Sequence, residues 1–134
     1  MDDLKMEKKI LNLSLKKEWY EMIESGVKTE EYRELKPYWC NRILYHCTLG
    51  IKEYWESVLQ RTLESVKKHT FLTLNKLLVH EYGTRGYTHV KFSYGYTRRT
   101  MTFEIDNISI GKGNKEWGAP DEEVFIIKLG KKIE

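Results

Sequence analysis

The hydrophobic period changes twice along this chain, and that alternation limits the folds open to it. Leu11, Leu13 and Leu15 alternate with Asn12 and Ser14, the period of two of a half-buried strand. Trp19, Met22 and Ile23 then stand at helical spacing, and Gly26 fits a left-handed cap behind them. The glycine motif that follows predicts a strand over Thr29 to Leu35, and Pro37 suits the first turn of a short helix, Pro37 to Tyr45. Between Gly50 and Tyr82 the period is helical. Ile51, Tyr54, Trp55, Val58, Leu59, Thr62, Leu63 and Val66 form one apolar stripe, and Thr73 is placed to cap a second helix ending at Gly83. From Tyr87 the period returns to two, through Val90, Phe92 and Tyr94, a turn at Gly95 to Arg98, and then Met101, Phe103 and Ile105.

The phase of that last strand inverts, because Ile108 and Ile110 are apolar while Asp106 is polar. A phase flip inside one strand requires a bulge or sharp bend near Asp106-Asn107. Bends of that kind let a short sheet curl into a barrel. The near-continuous apolar run Val124 to Leu129 predicts a final strand buried on both faces. The expected architecture is one α+β domain, residues 1–134, with the strands near Leu11 and Val124 in one curved sheet. A helical pair is inserted at about 50–82. Its stripe needs a cover, on the barrel or on the Leu74 to Tyr82 helix.

Composition narrows the function classes. Of the 134 residues 40% are hydrophobic, with four Trp and nine Tyr, which is enough for a packed core. A net charge of +3 does not by itself argue for a nucleic-acid partner. Cys40 and Cys47 fit no zinc pattern and form no disulfide framework, so the expectation is reduced thiols in a cytoplasmic protein. Met1-Asp2-Asp3 opens no apolar stretch, so no secretory leader is expected, and no apolar run of the sequence is long enough for a bilayer. His46, His69, His80 and His89 lack metal-ligand spacing, and neither a metal nor a cofactor is expected.

The chemistry-bearing stretch is Gly26-Val27-Lys28-Thr29-Glu30-Glu31-Tyr32-Arg33, or G-x-K-x-x-E-x-R. It puts an ammonium, a carboxylate and a guanidinium within eight residues. In a regular strand Glu31 and Arg33 share a face and Lys28 does not. Lys28 joins Glu31 only if the chain is still turning after Gly26, which a glycine permits. Lys28 then suits a phosphate or carbonyl, Glu31 an exocyclic amine, and Arg33 a phosphate or Glu31 itself. The plainer alternative is a row of exposed strand charges worth about 0–1 kcal/mol per pair. Gly111 to Gly118, with Lys112 and Trp117, offers backbone N–H groups and an indole for a nucleotide, or is a hairpin loop in which Trp117 plugs a barrel end. Arg98 is a phosphate contact or a solvated charge. Tyr38 and Trp39 read as core rather than as a stacking platform.

The G-x-K-x-x-E-x-R block within Leu11 to Arg42, followed by Trp117-Gly118-Ala119-Pro120 within Met101 to Leu129, resembles the small phage and bacterial members of the ASCH family in the PUA-like superfamily. The resemblance covers roughly two thirds of the chain; the segment Gly50 to Tyr82 departs from the compact family form. It implies a small PUA-like β-barrel whose cleft binds RNA or a nucleotide or nucleoside. It supports Lys28, Glu31 and Arg33, and the full candidate ligand-binding set is Gly26, Lys28, Glu31, Arg33, Arg98, Lys112 and Trp117. Some relatives hydrolyse N4-acylated cytidine, pairing the lysine with a threonine three residues on. Here that position is Glu31, so the hydroxyl is missing. If the chain is an enzyme, an amidohydrolase of that type or a ribonuclease, Lys28 and Glu31 are the catalytic candidates. A third expectation is a protein partner held by the helix at 51–66.

Overall fold

The structure, a computed structural model, describes residues 7–45 and 52–134. The start of the expected insertion at Gly50 and Ile51, and with it His46 and Cys47, lies outside the described residues.

The two period-two blocks form one sheet. Strands β1 (Ile10–Leu15), β2 (Glu30–Arg33), β3 (His89–Tyr94), β4 (Thr100–Lys112) and β5 (Glu123–Lys132) lie in the order β1-β3-β4-β5-β2. β1 pairs with β3 in parallel, and the other pairs are antiparallel. The first block of the sequence therefore supplies both edges, β1 and β2, and the last block the three strands between them. Glu30 to Arg33 is a shorter strand than the expected Thr29 to Leu35: the ladder with β5 covers those four residues, and Thr29 adds only a carbonyl that accepts from the Leu129 N–H at 3.0 Å.

β4 is the long strand that curls the sheet into a half-barrel. Its first half pairs with β3 and its second half with β5, and the register shifts between Phe103, Ile105 and Asn107. Those bulges produce the phase inversion: Met101 and Phe103 point into the core before them, Ile108 and Ile110 after them. β5 is buried on both faces only in its first half. Phe125 and Ile127 enter the main core, while Val124 faces a second cluster with Tyr32 and Ala119. Beyond Ile127 only Leu129 still packs against the core, and Lys128, Lys131 and Lys132 are exposed, so the apolar run overstated its burial.

Helices complete the core against the sheet. α1 (Lys17–Glu24) buries Tyr20 and Ile23, and α2 (Pro37–Ile43) buries Cys40 and Ile43. α2 stops before Tyr45, because Leu44 turns extended and bridges to Thr84. α3 (Lys52–Lys68) buries Trp55, Val58 and Thr62. Its stripe is covered as its spacing required: the Trp55 ring lies 5.3 Å from that of Tyr82, the Tyr54 and Tyr82 hydroxyls share a 3.0 Å hydrogen bond, and α3 packs on α2. Leu63 remains exposed on it. Thr73 Oγ1 accepts from the Lys76 N–H at 3.1 Å, but the helix it opens is a π-helix over Asn75–His80. Among the described residues no helix is long and apolar enough to cross a membrane.

Candidate functional site

The G-x-K-x-x-E-x-R segment leaves α1 by a tight turn. Gly26 adopts φ 88°, its N–H bonds the Ile23 carbonyl at 3.1 Å, and the Lys28 N–H bonds the Met22 carbonyl at 3.0 Å. The chain is thus still turning at Lys28. Val27 is thrown outward and Lys28 inward, onto the face of Glu31. Lys28 is 2% and Glu31 5% exposed, so the reading of solvated strand charges does not describe them.

Glu31 stands between two cations. Its Oε1 lies 2.9 Å from Lys28 Nζ, and its Oε2 accepts from Arg33 Nη1. Lys28 also donates to the carbonyl of Trp117. Its ammonium lies 4.6 Å from the centre of the Trp19 ring and 5.2 Å from that of Tyr32. Carboxylate, carbonyl and two ring faces are all electron-rich, and they hold Lys28 by its positive charge. The cluster carries one more positive than negative charge.

The loop after β4 is fitted onto this cluster. The Tyr32 hydroxyl donates to Glu30 at 2.8 Å and accepts the Asn114 N–H at 3.0 Å. Desolvation raises the Tyr32 phenol to about 12, and the Glu30 carboxylate adds to the effect against the opposing Asn114 bond. A 3-10 turn, Lys115–Trp117, follows; the Asn114 side chain accepts from the Glu116 N–H at 2.9 Å, and Gly118 at φ 96° ends the turn. Trp117 thus meets Lys28 through its carbonyl, while its ring packs with Tyr32, Ala119 and Val124.

Arg33 leads from the cluster to the surface. Besides Glu31 it donates to the Tyr32 carbonyl at 2.7 Å and to the Ser14 carbonyl at 3.2 Å. Its guanidinium lies 5.1 Å from the Trp39 ring centre. Arg42 approaches the same ring at 5.4 Å, donates to the Asn12 carbonyl at 3.3 Å and touches the Tyr38 hydroxyl at 3.3 Å. Tyr38 meets Trp39 edge to face, with centroids 4.8 Å apart. Tyr38 is 61% exposed, which corrects the expectation that it belongs to the core, while Trp39 is half-buried and packs against the main core. The proline at the start of α2 turns Tyr38 outward, leaving Cys40 and Ile43 to fill the core side.

Of the residues singled out in the sequence, Gly26, Lys28, Glu31, Arg33 and Trp117 come together. Arg98, in the β3–β4 turn, and Lys112, near the end of β4, are exposed and contact none of them. Sequence reasoning missed Trp19, Arg42 and the outward face of Tyr38. The signal for the last two was the i, i+4 spacing of Tyr38 and Arg42. Among the described residues no cluster of His, Cys, Asp or Glu can hold a metal ion. Comparison with family models, curated proteins and solved structures finds no match to this chain.

Proposed function

We propose that the chain is a PUA-like domain of the ASCH type that binds single-stranded RNA or a nucleoside beside the G-x-K-x-x-E-x-R turn. The observation that supports this best is the surface stack of Tyr38, Trp39, Arg33 and Arg42. It offers one exposed and one half-buried ring with two guanidiniums against them. Rings of that kind stack bases without strong sequence preference, for about 1–3 kcal/mol per base, and guanidiniums serve the phosphates. In this reading Lys28 and Glu31 are framework: they set Arg33 in place and do not touch the ligand. The same placement weighs against Lys28 as a catalytic group, since its partners engage it as a cation.

The test is titration of the protein with a short single-stranded RNA at several salt concentrations, read by Trp fluorescence. Binding is expected at low salt and to weaken as salt rises. Tyr38→Ala should weaken it about fivefold to a hundredfold, the equivalent of one stacked base. Arg42→Ala should reduce the salt slope by about one. Absence of binding at low salt by the folded protein would remove the proposal. Release of acetate from N4-acetylcytidine, lost in Lys28→Ala, would replace binding by turnover.

A further inference from the structure

Where the π-helix Asn75–His80 faces the bulged part of β4, the surface opens into a cleft of about 390 Å³. Two backbone irregularities create it. The β3–β4 ladder ends at the pair His89 and Glu104, so β4 has no neighbouring strand on that side from Asp106 onward. The bulge sets Ile105 opposite Leu129 and Asn107 opposite Lys128, which leaves Asp106 as an extra residue. Across the gap, the wider turn of the π-helix makes neighbours of residues five apart: Asn75 Nδ2 and His80 Nε2 lie 3.4 Å from each other. Asn75 Oδ1 accepts the Ile110 N–H at 2.8 Å and ties the helix to the strand at one end of the cleft.

The lining defines the chemistry of what fits. Asp106 and Asn107 stand on the bulge with Ser109 just beyond it, Asn75 and His80 on the helix, and Tyr87 adds carbon surface. The Tyr87 hydroxyl is already engaged, donating to the Arg42 carbonyl at 2.7 Å. Among the described residues no lysine or arginine lines the cleft; Lys128, which is not in its lining, pairs with Asp106 at 3.8 Å. An anionic ligand therefore meets the Asp106 carboxylate and no lysine or arginine of the lining. A carboxylate flanked by a carboxamide and a hydroxyl instead matches adjacent hydroxyl groups, which need acceptors and donors side by side. Neither the Asn107 nor the Ser109 side chain has a hydrogen-bond partner among the described residues, so both are available to such a ligand.

We propose that this cleft binds a neutral ring compound bearing a vicinal diol. Asp106 accepts from the two hydroxyls, and Asn107 and Ser109 complete their hydrogen bonds. Ribonucleosides and pyranosides share that chemistry. The cleft uses none of the stack residues, so the proposal stands apart from RNA binding at Tyr38.

The full chain, isotopically labelled, is titrated by NMR with adenosine, 2′-deoxyadenosine and methyl glucoside. Saturable shifts at Asp106 to Ser109 with adenosine identify a ribonucleoside site, and with methyl glucoside a pyranoside site. For a ribonucleoside, 2′-deoxyadenosine should bind about tenfold or more weakly, because one hydroxyl of the diol is gone. Asp106→Asn at an exposed position and Ser109→Ala at a half-buried one should each weaken binding about tenfold without changing the melting temperature. Tyr38→Ala should leave it unchanged. The proposal fails if neither diol saturates the protein by about 10 mM. It also fails if 2′-deoxyadenosine binds as well as adenosine, or if binding survives both cleft variants and is lost in Tyr38→Ala.

Discussion

Arg33 on β2 donates to the carbonyl of Ser14 on β1 across 3.2 Å, and at that contact the two edge strands of the sheet meet. Two residues along the same edge, Arg42 of α2 donates to the Asn12 carbonyl. Carbonyls two residues apart on a strand point the same way, so the two guanidiniums occupy successive acceptor positions of β1. The seam is bridged by side chains where a closed barrel would have a backbone ladder. That satisfies acceptors which an open edge would offer to another chain.

Arg33→Lys should therefore not be conservative. An ammonium on a flexible stem cannot serve Glu31, the Tyr32 carbonyl and the Ser14 carbonyl at once, nor stack on Trp39. A loss of about 1–3 kcal/mol is expected by denaturant unfolding, with faster amide exchange in β1 than in β3. A variant as stable as the parent would show that the seam does not depend on the fork.

Lys28→Met should cost about 3–5 kcal/mol, because it leaves the buried Glu31 with one partner in place of two. Adding Glu31→Gln should recover part of the loss, since the uncompensated charge is then gone. The double variant should be more stable than the sum of the single effects predicts. Additive losses would mean that the two side chains do not act as a pair.

The sheet and its curl were legible in the sequence because side-chain period and phase are local signals. Leu11 to Leu15 and the inversion at Asp106 translate directly into β1 and the β4 bulge. The cluster was legible only conditionally: whether Lys28 joins Glu31 turned on two backbone angles after Gly26, and the pattern of residue types does not state them. What Trp117 and Tyr38 do was not legible. The first acts through a backbone carbonyl, which every residue carries, and the second faces outward from a four-residue pattern too short to reveal its phase. The π-helix was hidden for a similar reason, as its apolar spacing over so few residues matches an ordinary helix.

Gly118 and Gly26 both have positive φ, yet they should differ in their tolerance of a side chain. A Cβ at Gly26 meets nothing within 4 Å, so Gly26→Ala should cost only the left-handed backbone penalty, about 1–2 kcal/mol. A Cβ at Gly118 would lie 2.9 Å from Trp19 Cζ2, adding about 1–3 kcal/mol of overpacking. Gly118→Ala should also push the loop off Trp19 and draw the Trp117 carbonyl away from Lys28, visible as altered Trp fluorescence. Equal losses at the two positions would show that the loop gives way freely.

Alkali should unfold the protein through groups that burial keeps neutral. Burial pushes the Cys40 thiol from 9.0 up to about 12, and desolvation takes the Tyr32 phenol from 10.0 to about 12. Both folded values lie above the unfolded ones, so the folded state holds its protons longer. The stability linked to them is complete below about pH 9 and is lost as pH rises toward about 12. Denaturant midpoints should be flat in this respect up to about pH 9 and fall beyond it, and Tyr32→Phe should reduce the fall between pH 10 and about 12. The Cys40 thiol should react with a disulfide reagent only at the rate of unfolding, since it is fully enclosed. Rapid labelling of Cys40 in the folded protein at pH 8 would contradict both its burial and the alkaline window that depends on it.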